Sequence, residues 1–298
     1  IRLHFAQRAR EHSVVDFSIF GDYQNPVEFN FSTAEGFSSQ LRWTSQRINI
    51  FYARTPRVES IAAREFRGFF ATVFAQNMQV CSADAEALSE ALTAAADIVD
   101  YLTEQARLEN ERRQKVRDFA AQHDDFSDHV RDFFTGVDVP PNLTPAEPPP
   151  PQLLRLPLTR QRQQDRSIRG SSGGISAADP KDLISAAQVL GEAAAQVPSG
   201  SVLAGWFDDF TSQCKYGTVE VGDLFVQLDR WRGLNDGDVE WLHAVAKAFQ
   251  AAGSGVITLP NSALRAALRA AGTPLWRTDL DITSPGLSGI DPRTGYLE

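Results

Sequence analysis

Residues 66–74 read Phe66-Arg67-Gly68-Phe69-Phe70-Ala71-Thr72-Val73-Phe74, and the apolar positions that follow are Leu88, Leu92, Ala95, Val99, Leu102 and Ala106. An aromatic residue, one residue of any kind and then a glycine make a tight turn at the end of a helix. The glycine lets two helix backbones approach, and the aromatic ring fills the space between them. Phe70 and Phe74, four and eight positions after Phe66, return to the same side of the next helix. Leu88 to Ala106 recur at steps of three and four, so they share one narrow stripe of coiled-coil type. A helical hairpin follows from these two features.

Outward from the turn, the first arm opens at Ser32, with Glu35 at capping-box spacing, and extends to about Thr55. Pro56 forbids a continuous ladder there, so a second, short helix is expected over about 57–65. The long arm is expected to start at Ser82 or Asp84 and to end near Gln122, its last turns carrying Glu109, Glu111, Arg112, Arg113, Lys115 and Arg117 as a solvated, charge-laced surface. Val27–Phe31 alternates weakly, as a short strand would.

Residues 139–175 differ from both flanks. They hold Pro140, Pro141, Pro145, Pro148–Pro151 and Pro157, then an Arg/Gln/Ser/Gly stretch, and carry five arginines against Glu147 and Asp165. Such a composition reads as a stiff and then a flexible spacer. Beyond it, Asp179-Pro180 places an N-cap before a proline at the first helical position. Leu183, Ala186, Ala187, Leu190, Ala194 and Val197 then line one face. Further helices are expected over about 202–214 and 219–231, a helix from Asn235 or Asp236 to Gly253, an extended piece over 256–259, and a last helix over 262–271. The expected class is therefore mostly α: a helical hairpin or bundle unit (1–138), a Pro-rich linker (139–175), a second small helical domain (176–272) and an irregular tail (273–298).

The 298 residues are 42% hydrophobic and 22% charged, enough to bury a core, and the formal net charge is −9. That charge argues against a nucleic-acid binder or an anionic-membrane binder. No apolar run approaches the ~20 residues of a spanning helix, and no signal-peptide core is present. Cys81 and Cys214 lack a neighbouring histidine and read as free thiols. His123 and His129 would point apart on a helix, at about 600° of rotation, and Asp208 and Asp209 project about 100° apart. No Gly-x-Ser-x-Gly elbow or Walker loop occurs. No catalytic residue, metal ligand or cofactor is therefore assigned, and no enzyme is expected.

With Phe66-Arg67-Gly68, Phe70, Phe74 and the seam from Leu88 to Ala106, residues 33–120 resemble the Trp-x-Gly (WXG) helical hairpins of type VII (ESX-type) secretion substrates. Phe66 stands where that family has tryptophan. The family's tyrosine-x-x-x-acid export signal is unmatched after the second arm: Tyr101 has Gln105 at the fourth place, and Tyr216–Glu220 lies outside the hairpin. Trp231-Arg232-Gly233 is a literal Trp-x-Gly, with Asn235 and Asp236 behind it as a helix cap, and is a candidate second turn between two helices, although Val239 stands where an aromatic would be expected. Residues 179–272 look like N-terminal regions of large actinobacterial polymorphic toxins.

The resemblance implies a non-catalytic leader that is cytoplasmic before export and then secreted. It would pair with small WXG-like helical proteins through Phe66, Gly68, Phe70, Phe74, Leu88, Leu92, Val99 and Leu102, and would carry a toxin domain to the type VII machinery. The narrow stripe is expected to stay partly uncovered until such a partner binds. The alternative is a cytosolic helical adaptor or immunity-like binding protein that is never exported.

Overall fold

Pro56 does not break the first helix. A computed structural model, which describes residues 20–123, 150, 152–153 and 174–270, has one continuous helix α1 over Phe31–Ala62 with Pro56 inside it. Proline removes the N–H that would bond to the carbonyl of Tyr52. The hydroxyl of Thr55 donates to that carbonyl at 2.8 Å, and it lies 2.9 Å from Ser82 Oγ on the opposing arm. A side chain one residue away thus repairs the ladder, and the separate helix expected over 57–65 merges with the first.

The expected cap also moves. Asn30, not Ser32, caps α1: its side-chain oxygen accepts from the Thr33 N–H at 3.2 Å, and Ser32 Oγ donates to the same oxygen at 2.9 Å. The strand expected over Val27–Phe31 is reduced to a single bridge between Phe29 and Cys214.

The chain turns through β1, Arg67–Gly68, into α2, Phe69–His123, a helix of 55 residues that at 1.5 Å per residue is about 80 Å long. Ser82 and Asp84 are therefore interior residues of α2, not its start. The arms run antiparallel and close, because small hydroxyl residues meet where they cross. Ser45 Oγ is 2.8 Å from Ser89 Oγ and 3.0 Å from Thr93 Oγ1, and Ser38 Oγ donates to Asp100 at 2.6 Å.

Beyond α1 the distal end of α2 is held by residues 20–30. Arg112 and Arg113 donate to Glu109 at 2.7–2.9 Å. The same two guanidiniums reach the carbonyls of Phe20 and Asn25. Burial pushes the Glu109 carboxyl up, and the two guanidiniums outweigh it and hold it below its ordinary range. Glu109 and Arg112 are buried, not part of a solvated surface: they strap the segment before α1 onto α2.

Strand β2, Gln152–Leu153, pairs in parallel with β4, Val219–Glu220. Pro150, Gln152–Leu153 and Gly174–Ile175 are the described part of the expected linker. The rest of 139–175, residues 1–19 and 124–138, and the expected tail 273–298 lie outside the described residues.

After β3, Ile175–Ala178, comes α3, Pro180–Ala194, capped by Asp179, which accepts from the Lys181 N–H at 2.9 Å. Helix α4, Gly200–Gln213, follows. Its first N–H donates to Asp229 Oδ1 at 2.7 Å, and a Cβ on Gly200 would stand 2.0 Å from the Phe225 carbonyl oxygen. Only glycine permits that crossing.

Helix α5, Leu224–Ala252, joins two expected helices into one. Strand β5, Ile257–Pro260, and helix α6, Asn261–Ala270, complete the described chain. The fold is mostly helical, with six helices among the described residues and a small sheet. That sheet has the order β1-β3-β5, antiparallel throughout.

The two helical stretches share one hydrophobic core. Phe37, Leu41 and Ile48 of α1, Leu88 to Ala106 of α2, Leu183 to Ala194 of α3, Leu242 to Phe249 of α5 and Leu264 of α6 all belong to a single buried cluster. The hairpin is one layer of this core, and α3 to α6 form the other.

Candidate functional site

The turn at Phe66-Arg67-Gly68 is built from both halves of the chain. Gly68 has φ +88°, a backbone conformation costly for any residue with a Cβ. A Cβ there would also lie 2.3 Å from the Ile175 carbonyl oxygen, because β1 pairs with β3 through Gly68 and Ser176. The Ser176 hydroxyl is buried, accepts from the Phe70 N–H at 3.5 Å and donates to Asn261 Oδ1 at 2.8 Å. It thus serves one of the open N–H groups at the start of α2. Arg67 folds back on the end of α1, where its guanidinium donates to the carbonyls of Ala63, Phe66 and Arg64, the last at 2.7 Å. A cation is favourable at that helix terminus.

The aromatic residues after the turn gather around a ring from elsewhere. Phe66 lies 6.4 Å from Phe74 and 6.5 Å from Trp241 of α5, centroid to centroid. Phe70 is 6.2 Å from Trp241, and Phe74 stacks on it at 6.4 Å with 7° between planes. The position that the resemblance gives to tryptophan holds Phe66, and an indole reaches the same cluster from α5. Sequence reasoning read Phe66, Gly68, Phe70 and Phe74 together. Helical periodicity marks Trp241 as inward-facing in its own helix but not as a partner of this turn; Ser176, which no local pattern marks, was missed, and so was Arg67, whose basic side chain at a helix end was a usable signal.

The seam is not left open. Leu88, Leu92, Ala95, Val99, Leu102 and Ala106 are all buried within the chain. One flank is covered by the N-terminal half of α1, level with it through the Ser38–Asp100 and Ser45–Ser89 contacts, and the other by α5 and the β4 region, where Gly217 packs against Leu102. The expectation of an exposed partner stripe at Leu88, Leu92, Val99 and Leu102 is thereby corrected: the second half of the chain covers it.

Trp231-Arg232-Gly233 is not a turn either. Trp231 is fully buried in α5, 4.8 Å from Phe51 in an edge-to-face arrangement, and its Nε1 donates to the Cys81 carbonyl at 3.3 Å. Cys81 Sγ donates to Asn235 Oδ1 at 2.9 Å. Asn235, expected as a helix cap, instead lies in the core. Packing of this indole and amide against α1 and α2 carries the helix straight through a glycine whose Cα faces open space.

Cys81 and Cys214 are both buried and outside any disulfide, and burial pushes the Cys214 thiol up. Asp208 and Asp209 lie on α4. His4, His12 and His129 and the side chain of His123 lie outside the described residues. No helix of the described residues is long and apolar enough to cross a membrane. The chain matches no protein-family model, no curated protein and no solved structure.

Proposed function

We propose that this chain is the non-catalytic leader of an effector or toxin exported by a type VII (ESX-type) machinery. In this reading it is cytoplasmic until export and then secreted, and it presents its hairpin as part of a composite signal completed by small helical partners. The observation that carries this reading is the aromatic-x-glycine turn, Phe66-Arg67-Gly68, joining two long antiparallel helices and sealed by Phe70 and Phe74. Because the seam is occupied in cis, small partners would add to the outer surface of the bundle. No chemistry of bond making or breaking is assigned to it.

A reporter enzyme fused after residue 298 tests the reading in a host with an active type VII machinery. The expected result is reporter in the medium, and none in a strain whose machinery is deleted. Full-length reporter retained in the cells of both strains would overturn it. Retention would instead favour a cytosolic adaptor or immunity-like protein, a reading supported by one observation: a hairpin already covered by its own chain needs no export partner to fold.

A further inference from the structure

Two connections in the second half of the chain are weak at the same level. The middle of α5 holds Gly233, Asn235, Asp236, Gly237, Asp238 and Val239, poor helix formers at six of the seven positions 233–239. A Cβ on Gly233 or Gly237 would meet nothing within 4 Å, so no contact asks for glycine at either place. The inner side of this stretch is polar, with Asn235 and Asp238 buried. The other connection is 195–199, between α3 and α4, and it contains Pro198. Contacts fix the level. A Cβ on Gly191 of α3 would lie 3.7 Å from the Val239 side chain, and Gly200, the first residue of α4, lies against Phe225 and Asp229. Residues 195–199 therefore stand beside the 230–238 stretch of α5.

This level divides the cover of the hairpin in two. On one side, α3 and the C-terminal half of α5 are tied to the turn by β3 and β5, by Asp182 with Arg64 at 3.6 Å, and by Trp241. On the other side, α4 and residues 214–232 lie over the start of α1 and the far part of the seam. Phe207 and Phe210 are 5.8 and 5.5 Å from Phe37, Trp231 is 4.8 Å from Phe51, and Gly217 packs on Leu102. The tip of this second part is fastened to the residues before α1. The Asn30 N–H donates to the Gln213 carbonyl at 3.2 Å, and the Lys215 N–H donates to the Glu28 carbonyl at 2.8 Å. The Asn30 amide and the Thr33 hydroxyl donate to Gln213 Oε1 at 2.7 and 3.0 Å, both exposed bonds.

We propose that α4 with residues 214–232 is a hinged lid on the hairpin, with its hinge at 195–199 and 233–237 and its latch between 28–30 and 213–215. Released from the latch, the lid turns as a body and uncovers Phe37, Phe51 and Leu102. Strand β2, paired with β4, travels with it, whereas α3 and the C-terminal half of α5 stay on the turn. Hinges are a few residues that absorb a backbone change between parts that move as units. A connector with a proline, level with two glycines that no packing requires, meets that description on both chain segments that cross between the parts. The inference rests on the fold alone, so export of the chain, or its absence, leaves it untouched.

The two cysteines of the chain serve as probes. Cys214 sits in the latch, and Cys81 lies under Trp231 and Asn235; both are buried. Labelling of the full chain with an excess of a thiol reagent, in urea below the unfolding transition, reads how often each is exposed. Both are expected to label through one opening, of lower free energy and weaker urea dependence than the unfolding followed by circular dichroism. Gly233→Ala with Gly237→Ala is expected to slow both by roughly tenfold or more, because alanine holds the helix straight. Gly205→Ala, at an equally open glycine of α4, is expected to change neither, because α4 stays helical in a lid that moves as a body. Gln213→Ala, which removes the side-chain half of the latch, is expected to speed both by roughly threefold or more. Cys81 that labels only with global unfolding would overturn the proposal. So would slowing by Gly205→Ala as large as that of the hinge pair, or a Gln213→Ala chain in which Cys214 labels faster and Cys81 does not.

Discussion

Replacing Gly68 by valine is expected to lower the unfolding free energy by roughly 3–5 kcal/mol. Two costs act at once. A β-branched residue at φ +88° carries backbone strain of about 1–3 kcal/mol. Its Cβ would also meet the Ile175 carbonyl at 2.3 Å, an overpacking of about 1–3 kcal/mol that side-chain rotation cannot relieve. The neighbour is backbone, and it belongs to β3, so relief means unpairing β1 from β3 and withdrawing the Ser176 hydroxyl from the start of α2. Against a total of about 5–15 kcal/mol for an ordinary domain, the loss would be large in urea titration. An unchanged denaturation midpoint would remove the turn from the account.

The second large effect separates a turn from a helix. Trp231→Ala is expected to cost about 3–5 kcal/mol, the range for removing a large aromatic from a core. The indole is fully buried, and its Nε1 bond to the Cys81 carbonyl is lost with it. Two residues on, Gly233→Ala is expected to be neutral or to stabilise by about 0.5–1 kcal/mol, because glycine is a poor residue within a helix. An added Cβ there meets nothing within 4 Å. Thermal and urea melts of the two variants check both signs. A Gly233→Ala chain that is clearly less stable would restore the Trp-x-Gly turn that the sequence suggested.

Those two positions also show what a sequence can disclose. Local chemistry was legible: Asp179-Pro180 opens α3, Gly253 closes α5, and Phe66 to Phe74 carry the hairpin turn. What misled was chemistry supplied from a distance. Ser82 looks like a helix cap, yet α2 starts at Phe69, where the hydroxyl at its first turn comes from Ser176, 106 residues away from Phe70. Pro56 looks like a stop, and the Thr55 hydroxyl undoes it. Trp231-Arg232-Gly233 looks like a motif because periodicity does not reveal that Phe51 and Cys81 wait on the other side. Glu109 and Arg112 look solvated in a charged run, whereas residues 20–30 bury them. The seam from Leu88 to Ala106 is legible as one apolar stripe, but its cover was assigned to another protein. The complementary surface lies in α5 and around β4, more than a hundred residues on, and no spacing rule joins the two.

The central claim is that hairpin and C-terminal helices form one cooperative unit, the second half of the chain taking the place of a partner on the seam. Native-state hydrogen exchange of the intact chain tests it most directly. Proteins open in cooperative blocks, each with its own free energy. The account predicts that the slowest amides of α2, at Leu92 and Val99, and those of α3 and α5, at Leu190 and Leu242, share one opening free energy within error. It also predicts that these amides fall together as urea is added. A C-terminal half that opens at markedly lower free energy while α1 and α2 stay protected would contradict it, since the hairpin would then hold its seam without α3 and α5.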